Sequence, residues 1–353
     1  MKLKKVLKTA YVIIFFLILG IIGVMSFAKK DNRPLKEKEV VFEPEGYKTW
    51  GTAFDKYFSA NFGFRKNFIN INNRIKYMLF NQSGEKNVIL GNDGWLFYES
   101  ALHDYMGLDV LPDEDIRKIA ENIKAMQDEI EAQDKKFVFT IAPNKMEIYG
   151  EDMPYYYLED ESDGNYEKLI KLLDEYNVNY VDLKSVLSDN KETDGNRIYH
   201  RLDSHWNNLG ASLAYMNIME KAGLSYTDYT KIKYEARQDF DGDLYEMLFP
   251  DGKEKDIQYY FDIEDNYEFT SRFMGVDDLL ITTHNEAGNG SVLLFRDSFG
   301  NALFEFFARD FMDAEISRAI PYDITDIDDV DLIVVEIVER NIGNLLLYPP
   351  VFG

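Results

Sequence analysis

The sequence contains no cysteine, which excludes disulfides, thiolate catalysis and cysteine-ligated zinc together. Histidine is scarce, four in 353 residues, and no His-x-x-x-His or similar spacing offers the three convergent ligands that a catalytic zinc requires. Neither a Walker nor a dinucleotide glycine pattern is present, and neither internal repeats nor low-complexity tracts occur. Basic residues are few, 39 Lys+Arg against 63 Asp+Glu, for a net charge of −24. Six of the lysines (Lys2, Lys4, Lys5, Lys8, Lys29, Lys30) lie in the first thirty positions, which hold no acid, so the remainder carries 33 basic against 63 acidic residues. A body with a net charge of −30 is a poor nucleic-acid ligand, because sequence-independent affinity comes from neutralising phosphates.

Apolar residues make up 46% of the chain, enough to fill a sizeable core. Charge is absent altogether from 10–28, AYVIIFFLILGIIGVMSFA. As a helix, that run spans roughly 28 Å, close to the thickness of bilayer hydrocarbon. Four lysines precede it, so the positive-inside rule leaves the N-terminus in the cytoplasm and everything after about Lys29 outside. The length favours an uncleaved signal anchor over a cleaved signal, although Ser26-Phe27-Ala28 could serve as a cleavage site. The expected address is therefore the cell membrane, single-pass, with the working domain extracytoplasmic and cut off from cytoplasmic ATP, NAD and acyl-CoA. No cofactor and no metal are expected.

Three regions follow from composition: an anchor over 1–28, a tether and juxtamembrane helices over 29–85, and a main domain over 86–353. Trp50 to Phe80 has apolar residues at helical spacing and is split in two at Gly63. Asn92-Asp93-Gly94, set between Val88-Ile89-Leu90 and Trp95-Leu96-Phe97-Tyr98, predicts a hairpin. Trp95 reads as a core plug beside the turn rather than a sugar platform. Ile116, Ile119, Ile123, Met126 and Ile130 predict a helix over 112–133, leading into the buried-type strand 136–142. A helix over 166–176, a strand over 178–183 and two further strands, 291–295 and 332–337, complete a helix–strand alternation. The expected fold class is α/β with a central, mainly parallel sheet. The Tyr- and Asp-rich stretch 224–290 is expected to be an insertion or lid. Its Asp239-Phe240-Asp241-Gly242-Asp243 run lacks the later ligands of a calcium loop and reads as a solvated turn.

Two stretches carry chemistry. In Asp203-Ser204-His205, an extended backbone would put residues i and i+2 on one side about 6.6 Å apart. The carboxylate could then hold one imidazole nitrogen while the other faces outward. Ser204 would point the other way. Ser298 follows the strand 291–295 and precedes a helical pattern from Asn301, which puts a hydroxyl at the carboxyl edge of the sheet, near helix amides able to receive an oxyanion. Plainer readings stand beside these: a lone histidine is often structural, and serine is a favoured helix N-cap. Asp297 is expected to serve the turn.

Together these residues resemble a known family. Tyr199-x-Arg201-x-Asp203-Ser204-His205-Trp206-Asn207-x-x-Gly210-Ala211, followed by Arg296-Asp297-Ser298-Phe299, is similar to the SGNH-hydrolase-like proteins of the alginate O-acetyltransferase AlgJ/AlgX type. It is nearest the Gram-positive group named for an Asp-His-His-Trp motif, here with Ser204 in second place. Gly91-x-x-Gly94-Trp95, Pro143-x-Lys145, Val181-Asp182-Leu183 and Val338-Glu339-Arg340-Asn341 add to the likeness, which covers about residues 50–345. The resemblance implies an SGNH-like three-layer fold with Ser298 as nucleophile, His205 as base and Asp203 as its orienter. It also implies Tyr199, Arg201, Trp206 and Arg296 as substrate contacts. Two features depart from the pattern: Arg296 stands where a glycine often precedes Asp-Ser, and no oxyanion-hole side chains are identifiable.

The implied activity is a membrane-anchored polysaccharide O-acetyltransferase working through an acetyl-serine. Its implied partners are a cell-surface polysaccharide acceptor and a membrane-bound O-acyltransferase that supplies acetyl groups. A carbohydrate acetyl esterase with the same triad, and a non-catalytic polysaccharide-binding or assembly protein, are the alternatives.

Overall fold

The computed structural model describes residues 2–28, 41–44, 46–61, 63–159 and 162–352. Most of the tether read over 29–45 lies outside them. The chain divides into two compact units, one of residues 1–85 with 246–253, the other of residues 86–245 with 254–353.

The first unit is helical. Lys2–Ala28 forms one helix that includes the whole uncharged run. Among the described residues no helix is long and apolar enough to cross a membrane. Trp50–Asn61 and Arg65–Phe80 form a helical pair broken around Gly63. The second of these ends at Asn81, whose left-handed backbone (φ 48°) lets its own N–H reach the Tyr77 carbonyl and that of Gln82 reach the Lys76 carbonyl.

The second unit is built on a seven-stranded sheet. Its strands run, across the sheet, Tyr180–Val181, Lys136–Ala142, Leu332–Val338, Ser291–Phe295, Asp313–Ser317, Leu280–His284 and Glu268–Phe269. The first five pair in parallel and the last two are joined on through antiparallel pairings, which makes the sheet mixed and mainly parallel. Leu332–Val338 is buried at every position, as a central parallel strand covered on both faces must be. The pleat sorts its side chains. Ile333, Val335 and Ile337 join Phe137, Phe139, Leu293 and Phe295 in one core with the helices Asp113–Glu131 and Asn165–Glu175. Leu332, Val334 and Val338 join Val138, Val292 and Leu294 in the other, with Asn208–Ala222 and Phe304–Asp310. The result is three layers, helix on sheet on helix.

The stretch 224–290 does not stand wholly apart from the sheet. Tyr234–Phe240 and Asp256–Phe261 form a separate hairpin, whereas Glu268–Phe269 and Leu280–His284 extend the central sheet at its antiparallel edge. The hairpin at 88–98 forms as expected, with Asp93 and Gly94 at positive φ (50° and 77°) in its turn. Trp95 is buried against Tyr149, 5.0 Å between rings, as a core plug should be.

Candidate active site

The carboxyl ends of the parallel strands form one edge where Asp182, Pro143–Lys145, Asp297–Ser298 and Glu339–Asn341 emerge, the edge at which open α/β sheets place their ligands. The segment Tyr199–Trp206 arrives there as a loop, closed by an antiparallel bridge between its two end residues. It is not the extended strand that the i, i+2 argument assumed. Asp203 still reaches His205, by a turn: its Oδ1 accepts the His205 backbone N–H at 2.9 Å and faces Nδ1 at 2.7 Å. With Nδ1 against a carboxylate, that nitrogen carries the proton. Nε2 is left as the acceptor for the Ser298 hydroxyl, 2.8 Å away. The helix that follows starts at Asn208, with the Asn207 side chain accepting from the N–H groups of Leu209 and Gly210 as N-cap.

Ser298 stands before the short helical turn Phe299–Ala302 and makes no capping bond with its side chain. The hydroxyl that could have capped is given to the imidazole instead. Other groups do the structural work of the turn. Asp297 accepts from Phe299 N at 2.9 Å and Val338 N at 2.6 Å. Glu336, fully buried on the central strand, accepts the N–H groups of Asp297 and Gly300, each at 3.1 Å. Burial, then the charge on Asp297, pushes the Glu336 carboxyl well above the ordinary range. These bonds revise the oxyanion expectation. The amides of Phe299 and Gly300 are committed to carboxylates, and the Ser298 N–H is the one in this turn with no protein partner among the described residues.

Electrostatics set the dyad. Burial alone would raise Asp203, but the charge and hydrogen bond of His205 outweigh it and hold the carboxyl well below its usual range. Burial alone would lower His205, but Asp203 outweighs it and the net shift is upward. A second carboxylate stands behind them. Asp243 donates its backbone N–H to Asp203 Oδ2 at 2.8 Å and accepts the Ser204 hydroxyl at 2.6 Å. Its pKa is raised to about 6 by burial and then by the charge of Asp203. Ser204 is not turned away from the imidazole as expected. Its hydroxyl lies 3.2 Å from Nδ1, on the side opposite the reacting nitrogen, which excludes it as nucleophile. Asp203, His205 and Asp243 bring ligand atoms within 4.8 Å of one another. Those atoms are spent on each other, on Ser204 and on amides, so the set is a hydrogen-bond network and not an open cation pocket.

The remaining candidates are placed behind the triad. Trp206 is buried, edge-on to Phe299, with its Nε1 donating to Phe299 O at 3.0 Å. Tyr199 is buried and donates to the Pro143 carbonyl at 2.7 Å. Arg296 is 2% exposed; its guanidinium holds the carbonyl of Val276 at 2.8 Å and the Asn301 side chain, and burial lowers its pKa to about 10. The polar ends of Tyr199 and Trp206 and the terminal guanidinium nitrogens of Arg296 are bonded inside the protein, so the three brace the site. Arg201 is partly exposed, donates to Gly94 O at 3.2 Å and pairs with Glu254. His205 and Ser298 are both partly exposed, so the reacting end faces solvent. A separate surface depression lined by Glu131, Asp174, Tyr180, Asp182 and Lys221 holds none of these groups.

Three residues carry more than their sequence context signalled. Asp243 ends the run read as a solvated turn, and only its packing against Leu202, where a Cβ on Gly242 would meet the Leu202 carbonyl oxygen at 2.4 Å, reveals its position. Lys145 is buried, with Nζ donating to the carbonyls of Leu96 (2.6 Å), Asp203 (2.9 Å) and Arg201 (3.1 Å). Burial pushes its pKa down to about 7. Arg340 stacks on Phe299 (5.6 Å) and Tyr98 (5.3 Å), and its charge opposes protonation of His205.

Residues 88–306 match the family described as SGNH hydrolase-like domain, acetyltransferase AlgX. Among named proteins, the chain is 24% identical over 168 residues to the probable alginate O-acetylase AlgJ of Pseudomonas putida, covering 48% of this chain and 42% of that one. The corresponding protein of Pseudomonas syringae is 24% identical over 216 residues, 59% and 50% of the two chains. The chain thus spans about half the length of these relatives. Two solved structures share the fold: Bacillus cereus PatB1 (TM-score 0.56, 18% identity, 72% of this chain and 97% of that one) and a DHHW family protein from Eubacterium siraeum (TM-score 0.53, 17% identity, 68% and 90%). With the family matched over well more than half its length, this chain belongs to the SGNH hydrolase-like, AlgX-type acetyltransferase family.

Proposed function

We propose that the protein is a membrane-anchored, extracytoplasmic O-acetyltransferase that modifies a cell-surface polysaccharide through an acetyl-Ser298 intermediate. The observation that carries the reading is the unbroken relay from Asp203 through His205 to a solvent-facing Ser298 hydroxyl at 2.7 and 2.8 Å. In the first half-reaction Ser298 Oγ attacks the acetyl carbonyl while its proton passes to His205 Nε2. The tetrahedral oxyanion has the free Ser298 N–H beside it. Collapse expels the donor's leaving group, which takes the proton from Nε2 and leaves acetyl-serine. A sugar hydroxyl then attacks the acetyl carbon, gives its proton to Nε2, and Ser298 departs as alkoxide and recovers that proton.

The uncharged run 10–28 behind a lysine-rich start supports an anchor with the domain outside. Acetyl-CoA then lies across the membrane, which is why a membrane-bound O-acyltransferase is the proposed acetyl source. Relatives are named for alginate, a polyanion. The net −30 that follows the first thirty residues here favours a neutral or amino-sugar polymer.

The test is Ser298→Ala in the producing cell, together with purified protein given an activated acetyl ester. Loss of surface O-acetyl groups, and an acetyl adduct on Ser298 that is discharged faster by added saccharide, are the expected results. Discharge indifferent to saccharide would make the protein an esterase. Unchanged surface acetylation with no Ser298-dependent turnover would leave a non-catalytic polysaccharide-binding protein.

A further inference from the structure

The helix Arg65–Phe80 has its polarity reversed for a helix surrounded by water. Its buried side chains are asparagines: Asn70 and Asn73, the latter donating to Leu248 O at 2.7 Å. Tyr77 and Arg74, near the same face, meet Phe249, with ring centroids 5.8 Å apart and the guanidinium 5.3 Å from the ring. The opposite face carries Phe68, Ile71, Ile75, Met78 and Leu79, from 47% to 77% exposed. Their spacing of 3, 4, 3 and 1 confines them to an arc of about 100°.

Charge on the helix is one-sided as well. It holds Arg65, Lys66, Arg74 and Lys76 and no acidic residue, in a chain with a net charge of −24. By helical period, Arg65 and Lys76 border one side of the apolar stripe and Arg74 the other. An apolar stripe with cations along both margins suits the boundary between lipid headgroups and acyl chains, where aliphatic side chains enter and the long cationic ones reach up to phosphates. Charge complementarity selects the lipid: the acidic remainder of the chain is repelled by an anionic surface, and this helix is attracted to it.

We infer that Arg65–Phe80 lies in the plane of an anionic bilayer, with Ile71, Ile75, Met78 and Leu79 entering the acyl boundary. This rests on the anchor reading above, since a chain held at a membrane by residues 10–28 brings the helix within reach of that surface. The helix then acts as a second, non-spanning contact that orients the protein at the bilayer.

The absence of cysteine allows a direct test on the full chain. Single spin labels are attached at Ile75→Cys, Met78→Cys, Lys118→Cys and Ile18→Cys, and the chain is reconstituted in nanodiscs of phosphatidylcholine with or without phosphatidylglycerol. At positions 75 and 78 in anionic discs, oxygen accessibility should exceed that of a water-soluble nickel chelate, with the reverse at Lys118, an exposed side chain of the second unit. Neutralising Arg65, Arg74 and Lys76 to Gln should reduce the lipid-contacting population about fivefold per charge removed. Water-like accessibility at 75 and 78 in every disc would overturn the inference. Exclusion of both reagents there would also overturn it, in favour of a protein partner or a second copy. A label at Ile18 that contacts lipid while those at 75 and 78 do not refutes this inference alone, whereas a water-exposed Ile18 refutes the anchor reading itself.

Discussion

His205 is the residue on which the proposed chemistry turns, and its protonation follows from three neighbours. Asp203 and Asp243 raise its pKa above 6.5 while burial and Arg340 oppose them, the carboxylates prevailing. Because Nε2 must be neutral to accept the Ser298 proton, kcat/KM for an acetyl ester should fall as pH drops through a value above 6.5 and level off above it. Asp243→Asn removes one of the two raising charges while keeping the backbone N–H that holds Asp203. The acid limb should then move to lower pH with a modest change in the plateau, and a pH profile of the variant that overlays the wild type would refute the assignment. Lys145 acts by a different route. Its three carbonyl acceptors tie the loop that bears Asp203, at Arg201 and Asp203, to the hairpin strand at Leu96. Lys145→Met leaves the Leu96 and Asp203 carbonyls without this donor, while Arg201 O keeps the Leu96 N–H, and should cost about 2–5 kcal/mol in denaturant unfolding. A loss below about 1 kcal/mol would show that the clamp is dispensable.

Among the elements, the segment Phe240–Asp243 shows how a stretch without regular patterning enters a site. Gly242 packs so closely on the Leu202 backbone that a Cβ would fall 2.4–2.6 Å from its carbonyl atoms. Gly242→Ala should therefore push Asp243 away from Asp203. We expect a loss of about 1–3 kcal/mol and a drop in kcat larger than any change in KM, measured by melting and by acetyl-ester kinetics on the folded fraction. Full activity with unchanged stability would mean that the contact relaxes freely. The turn at Asp297–Gly300 is held the opposite way, by carboxylates satisfying its amides. That is why Ser298 can leave the capping role for which serine is usually selected.

For the whole molecule, the proposed topology is the property most open to direct measurement. If residues 10–28 span the bilayer with the lysines inside, the full chain should resist alkaline carbonate extraction from membranes. Protease added to intact protoplasts should digest a C-terminal tag and spare an N-terminal one. Release by carbonate, or protection of the C-terminal tag, would place the domain elsewhere and remove the need for a membrane-bound acetyl donor. The strong acidity of the chain belongs to the same scale, since it bears on which polymer can approach and not on how the sheet is built.

How much of this was legible beforehand differs by feature. Local periodicity and burial were enough for the helix Asp113–Glu131 and the strands Lys136–Ala142, Ser291–Phe295 and Leu332–Val338, because a long apolar pattern of one period has few alternative uses. The motif residues Asp203, His205 and Ser298 could be picked out in the same way, by type and by their position next to predicted elements. The strands Leu280–His284 and Asp313–Ser317 were not, since their pairing comes from neighbours distant in the chain and not from their own pattern. Nor could Asp243 be told from a surface acid, or Arg296 from a ligand contact, because burial and partners are properties of the folded neighbourhood. The sequence alone determined the chemistry-bearing residues and the α/β order. The tertiary structure decided that a loop 93 residues before Ser298 brings an imidazole backed by a carboxylate to 2.8 Å from its hydroxyl, because only packing can set a distance between groups the chain keeps apart.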